Sequence, residues 1–81
     1  MPMDKTITTR EHGVLVGVLR ELRLTAGLRQ SDVAERLDVH QSFVSKYESG
    51  ERRLDLVELK QVAEALDINL SKLVRKFEET L

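Results

Sequence analysis

Residues that end helices recur along this chain at short intervals, and they limit what it can fold into. Gly27, Asp38, Gly50 and Asp67 lie at the ends of segments whose apolar residues repeat with helical spacing. Proline occurs only at position 2, and strand-like alternation of apolar and polar residues is weak. Because the connections are only a few residues long, the sequence predicts an all-α fold, a compact five-helix bundle rather than a repeat array.

Capping signals place the helices along the chain. Thr8 or Thr9 is expected to begin the first helix, and a capping-box pattern from Asp55 to Glu58 opens the fourth. Asn69 is suited to cap the fifth helix. The second and third helices are expected at about residues 30–37 and 41–49. Residues 1–7 are expected to form a flexible arm, and residues 8–81 a single folded domain.

Composition excludes several classes of protein without choosing a function. Cysteine is absent, which rules out disulfides and thiolate metal sites, and no apolar run is long enough to cross a membrane. His12 and His40 have no ligand-like spacing and no glycine-rich phosphate loop is present, so we expect no enzyme activity, no metal and no cofactor. The net charge of −1 leaves a nucleic-acid partner open without favouring it. A cytoplasmic location is the default expectation.

The stretch QSDVAERLDVHQSFVSKYES, residues 30–49, carries the functional information. Two short helices joined by a tight turn must cross steeply, and Ala34 supplies the small residue needed where they touch. Asp38 is acceptable in the turn, although glycine would tolerate a positive φ better. The residues expected to lock the pair into the core are Val33, Leu37, Val39, Val44 and Tyr47. This spacing predicts a helix-turn-helix.

With its flanking segments, LRELRLTAGLRQ and GERRLDLVELKQVAEALDINLSKL, the stretch resembles the Cro/lambda-repressor-type (XRE) helix-turn-helix family over residues 15–75. The resemblance implies a lambda-repressor-like DNA-binding domain with the motif at helices 2 and 3. It also implies that helix 3 enters the major groove of double-stranded DNA and that a homodimer reads two half-sites of an operator.

Helical geometry divides the residues of helix 3 between two sides. At 100° per residue, Val44, Tyr47 and Glu48 share the inward side. The others are candidates for base contacts, because glutamine, serine and lysine can hydrogen-bond base edges and phenylalanine can touch a thymine methyl. An ordinary solvated surface is the alternative interpretation. The candidate base-contacting residues are Gln41, Ser42, Phe43, Ser45 and Lys46.

The resemblance also implies roles outside helix 3. Gln30 matches a position that contacts phosphate and braces Gln41, and Arg23 matches an ion-pair partner of Glu48. Arg29, Arg52 and Arg53 are further candidates for phosphate contacts, since adjacent arginines suit phosphate binding.

The chain departs from the family pattern at three positions. Arg29 and His40 occupy the caps of helices 2 and 3 although neither is a favoured cap, and Asp38 replaces the common turn glycine. These departures bear on stability rather than on the fold.

Together these features predict a sequence-specific DNA-binding transcription regulator, most simply a repressor. Leu70, Leu73, Val74 and Phe77 on helix 5 either close the bundle or form a dimer face. The competing hypothesis is a non-catalytic helical interaction module, antitoxin-like or adaptor-like, that has lost DNA binding. No small-molecule ligand or membrane partner is evident, and a phage, restriction-modification or chromosomal regulator fits equally well.

Overall fold

The computed structural model describes the backbone of residues 5–81 and the side chains from residue 10 onward. All regular structure in this part of the chain is helical, which confirms the predicted fold class. The helices are α1 (Lys5–Thr25), α2 (Gln30–Leu37), α3 (Gln41–Glu48), α4 (Leu56–Ala65) and α5 (Leu70–Thr80).

The first helix begins earlier than predicted. It starts at Lys5, three residues before Thr8, so the prediction that Thr8 or Thr9 caps it is wrong. Residues 5–7 of the predicted arm belong to the helix, and residues 1–4 lie outside the described residues. The threonines have lower intrinsic helix propensity than most residues, but a helix of 21 residues carries a few such residues at its first turns.

Four helices end where the sequence indicated, through residues in the left-handed region. The φ angles are 74° at Gly27, 57° at Asp38, 85° at Gly50 and 64° at Asp67. Beyond three of these ends a backbone N–H reaches back five residues to a helix carbonyl and satisfies it. These bonds join Leu28 N to Arg23 O (3.1 Å), Val39 N to Ala34 O (3.0 Å) and Ile68 N to Ala63 O (3.0 Å).

The helix starts include the two predicted caps. The Asp55 carboxylate accepts from Glu58 N at 2.8 Å, and Glu58 reciprocates by accepting from Asp55 N at 2.9 Å. Asn69 Oδ1 accepts from Lys72 N at 2.8 Å. The sequence was therefore sufficient to place both starts.

His40 caps α3, against the expectation that it would be a poor cap. Its Nδ1 accepts the Ser42 backbone N–H at 3.1 Å, which satisfies one of the free N–H groups of the first turn. Because Nδ1 accepts only when it carries no proton, this cap requires the neutral ring.

Arg29 has no acceptor to offer α2, and Asp32 in the first turn compensates. Asp32 Oδ2 accepts the Arg29 backbone N–H at 2.8 Å and Arg29 Nε at 3.2 Å, while Oδ1 accepts from Nη2 at 3.1 Å. These bonds hold the pKa of Asp32 below its ordinary value. Asp32, at the third position of α2, thus offsets the predicted loss of stability at this helix end.

A small apolar core joins the five helices. α2 packs against α3 and α4, and α1 packs against α3 and α5. Val39, expected inside, is instead 38% exposed, because it lies just beyond α2 where the chain turns outward. The most deeply buried side chains are Val18, Leu19, Val33, Val44, Tyr47, Val62 and Leu73. None of the helices described between residues 5 and 81 is long and apolar enough to cross a membrane.

Candidate nucleic-acid interface

Helix α3 is held by very few of its residues. Val44 and Tyr47 are 0% and 1% exposed, whereas Gln41, Ser45 and Lys46 are exposed. Ser42 is exposed as well, and its hydroxyl lies 3.0 Å from His40 Nδ1. A helix of eight residues is marginal alone, so these anchors fix its position while its outer side remains open to a partner.

The Tyr47 hydroxyl is buried and has no hydrogen-bond partner within residues 10–81. Burial raises the pKa of Tyr47 above its ordinary value of 10.0, with a smaller contribution from the neighbouring Glu48 charge. The ring therefore anchors α3 through packing, while its hydroxyl carries a desolvation cost.

Arg23 and Glu48 form a bidentate ion pair between α1 and α3. Arg23 Nε donates to Glu48 Oε2 at 2.7 Å and Nη2 donates to Oε1 at 3.0 Å, with side-chain exposures of only 9% and 4%. Arg23 Nη1 also donates to the Leu28 carbonyl at 2.9 Å. The hydrogen bond to Glu48 raises the pKa of Arg23, against the opposing effect of burial.

Gln30 joins this pair. Its Nε2 donates to Glu48 Oε1 at 3.1 Å, which gives that carboxylate a third donor. The nearly buried carboxylate is a charged and therefore strong acceptor for this amide, and the brace to Gln41 stays a prediction. The Gln30 side chain therefore contributes to fixing α3 on α1.

Phe43 and Arg52 are engaged with the protein itself. The Arg52 guanidinium carbon lies 4.5 Å from the Phe43 ring centroid, and that ring meets Tyr47 edge-on at 5.9 Å. Arg52 Nη2 also donates to Glu58 Oε2 at 2.7 Å, which raises the pKa of Arg52 and lowers that of Glu58. These contacts weaken the predictions that Phe43 touches a base and that Arg52 contacts phosphate.

Two of the predicted cationic contacts remain available. Arg53 and Lys46 are exposed, and within residues 10–81 neither has a carboxylate within ion-pair distance. Arg29 is 81% exposed at its side chain but shares its charge with Asp32. Lys46 and Arg53 lie on α3 and in the loop that follows it, so both belong to the same region of the surface.

Two ion pairs that decide which cationic side chains stay available were not predicted from the sequence. Arg29 and Asp32 are oppositely charged and three residues apart, with the acid at the third helical position, so a capping-box search would have found them. Glu58 was assigned only to its cap, and its bond to Arg52 depends on the path of the loop at residues 50–55. The local sequence pattern does not indicate the path of this loop.

The part of the chain that the structure describes contains no group of histidine and acidic side chains able to hold a metal ion. The exposed side of α3 with the adjoining loop has the arrangement of a helix presented to a groove.

Comparison with known proteins gives the family. Residues 19–73, more than half of the chain, match a family model described as helix-turn-helix. An XRE-family-like protein from Pseudomonas syringae pv. tomato is 39% identical, with 93% of this chain and 92% of that chain covered and a TM-score of 0.86. This chain belongs to the XRE-type helix-turn-helix family. By family it is a DNA-binding transcription regulator.

Other solved structures resemble this XRE-type regulator. The restriction-modification controller protein C.AhdI from Aeromonas hydrophila is 34% identical, with 79% of this chain and 97% of that chain covered and a TM-score of 0.73. The clp gene regulator ClgR from Corynebacterium glutamicum shares the fold, with 22% identity, a TM-score of 0.76, and 85% of this chain and 73% of that chain covered. A comparison with curated protein sequences gave no match.

Proposed function

We propose that this XRE-type regulator binds a specific operator as a homodimer, with α3 in the major groove, and represses transcription in the cytoplasm by occupying that site. The observation that carries the proposal is the division of α3. Val44, Tyr47 and Glu48 hold it to the bundle, while Gln41 and Lys46 stand exposed on the other side. Such a helix can enter a groove without disturbing the core.

The exposed side chains suit base edges and phosphates. Glutamine pairs with adenine through two hydrogen bonds and lysine donates to guanine acceptors. Ser42 and Ser45 add hydroxyl groups on the same side, and Arg53 lies in the loop beyond the helix. We assign base contacts to Gln41, Ser42, Ser45 and Lys46, and phosphate contact to Arg53.

A homodimer is supported by the edge of α5. Leu73 is fully buried and closes the bundle, but Val74 and Leu81 are 41% and 47% exposed. Val74 lies on α5 and Leu81 at its C-cap, seven residues further on, which is the spacing of a helix–helix contact. Arg75 and Glu78 flank this edge, so two copies of α5 packed antiparallel would bring opposite charges together. A two-fold axis would then present two reading helices to a palindromic site.

Selection of DNA from fragmented genomic DNA by the purified protein tests the proposal. We expect enrichment of an imperfect palindrome whose half-sites are separated by about one helical turn, roughly 10 base pairs. Lys46→Ala should weaken binding to this site by about 1–3 kcal/mol, with its effect concentrated on one base pair. Lys60→Ala is the matched control, because Lys60 is exposed on α4 and paired with Glu64 at 2.9 Å.

The dimer is tested separately by sedimentation. Val74→Glu should shift the protein toward monomer and weaken operator binding, while the midpoint of thermal unfolding of each subunit changes little because Val74 is exposed. If the purified protein ignored duplex DNA at low salt while another protein co-purified with it in a fixed ratio, the interaction-module hypothesis would replace this one.

A further inference from the structure

A small cleft beside α3 contains a cation with no assigned role. It is a shallow opening of about 290 Å³ between α1, the start of α2 and the second half of α3. Its lining residues are Arg20, Arg23, Gln30, Ser45, Glu48 and Ser49.

The unmatched charge of this cleft belongs to Arg20. Arg23 and Glu48 neutralise each other at 2.7 Å, and the Gln30 amide is bonded to Glu48. Arg20 is exposed, and within residues 10–81 no carboxylate lies within ion-pair distance of it. The cleft therefore carries a net positive charge and attracts an anion.

One hydroxyl group in the cleft suits the same ligand. Ser45 is exposed on α3 and can donate to an anion, whereas the Ser49 hydroxyl at the end of that helix already donates to the Lys46 carbonyl at 3.0 Å. Ser45 also belongs to the side of α3 that we assign to DNA. An anion bound here would lie directly beside the reading helix.

We infer that Arg20 is a phosphate-contacting residue that reaches the DNA backbone from α1, flanking the helix that reads the bases. This inference rests on the proposed function, because it supposes that α3 enters the major groove. Its ligand is a phosphodiester of duplex DNA, which the planar guanidinium can bind through two parallel hydrogen bonds. Arg20 would fix the register of α1 on the duplex without reading sequence.

The salt dependence of DNA binding tests the inference. One phosphate contact contributes about 0.9 to the magnitude of the slope of log K against log salt, which amounts to roughly eightfold in affinity for each tenfold change in salt concentration. Arg20→Gln should lower the slope by that amount on both the selected operator and an unrelated duplex. Arg20→Lys should restore the slope. Lys60→Gln, which removes one positive charge from the exposed side of α4, is the matched control and should leave the slope unchanged.

Each outcome decides the inference. Equal slopes for the unmodified protein and Arg20→Gln would overturn it while leaving the proposed function intact. An effect confined to the operator would overturn it too, since it would show base reading. Failure of the unmodified protein to bind any duplex would overturn both proposals. A thermal midpoint shared by Arg20→Gln and the unmodified protein would show that the loss does not come from unfolding.

Discussion

The Arg23–Glu48 pair offers the sharpest test of how α3 is held. Glu48 accepts three hydrogen bonds, from Arg23 Nε, Arg23 Nη2 and Gln30 Nε2, at 2.7–3.1 Å. Glu48→Ala removes all three and leaves Arg23, whose side chain is only 9% exposed, without a charged partner. Breaking a buried pair in this way costs about 3–5 kcal/mol. We expect about 3 kcal/mol, since the pair lies near the surface.

That loss is large against the stability of a domain of this size. At about 0.05–0.15 kcal/mol per residue, 81 residues correspond to a free energy of unfolding of about 4–12 kcal/mol. A loss of about 3 kcal/mol should lower the thermal midpoint by roughly 12–24 °C. Urea unfolding followed by circular dichroism measures the free energy, and an unchanged m-value would show that the same cooperative transition is compared.

The double mutant isolates the pairwise contribution. Arg23→Ala alone leaves the Glu48 carboxylate with only Gln30, whereas Arg23→Ala with Glu48→Ala leaves no unpaired charge. We therefore expect the double mutant to be less destabilised than the sum of the single mutants by about 1–3 kcal/mol. Additivity within about 0.5 kcal/mol would refute the reasoning. The exposed pair Lys60–Glu64 is the control, and Glu64→Ala should cost about 0.5 kcal/mol or less.

Three further predictions concern single residues. Tyr47→Phe removes a buried hydroxyl without a partner and should raise the free energy of unfolding by about 1 kcal/mol. Because the pKa of Tyr47 is raised in the folded state, the stability that this shift contributes is fully present below the ordinary pKa of 10.0. That stability is lost as the pH rises beyond 10.0. Equal alkaline losses in the wild type and Tyr47→Phe would contradict this. Asp38→Gly should stabilise the domain by up to about 1 kcal/mol, since φ is 57° there, and Asp38→Ala should destabilise it. Arg53→Ala should weaken DNA binding in a fluorescence-anisotropy titration and leave the thermal midpoint unchanged. Arg52→Ala should lower the thermal midpoint, because it breaks the bond to Glu58. Equal thermal midpoints for the two variants would contradict this distinction between the two arginines.

The helix boundaries show how far local signals reach. Asp55 and Asn69 cap α4 and α5 as the sequence indicated, because a cap depends only on residues within one turn. The start of α1 was misplaced, since a threonine in a suitable position does not cap a helix that already continues through it. The cap formed by His40 was not predicted, because its ring nitrogen accepts from Ser42 N only in the conformation that the turn imposes.

The candidate site was predictable only in part. The inward set of α3 followed from helical periodicity, and Val44 and Tyr47 are buried accordingly. Which outward residues stay available did not follow, because Phe43 is covered by an arginine nine residues further along the chain. The sequence gives no signal that singles out Arg20, which is one of several arginines on a long helix.

By itself the sequence determined the five helices, the points where the first four terminate and the helix-turn-helix, because caps, left-handed turn residues and apolar periodicity act over a few residues. The tertiary structure decided which cations remain for a ligand. Glu48 and Glu58 neutralise Arg23 and Arg52 through bonds that the folded chain brings together, and no carboxylate described in the structure reaches Lys46 or Arg53. Charge pairing over such separations depends on where the helices pack, so a nearly neutral chain can present a cationic reading surface that its composition conceals.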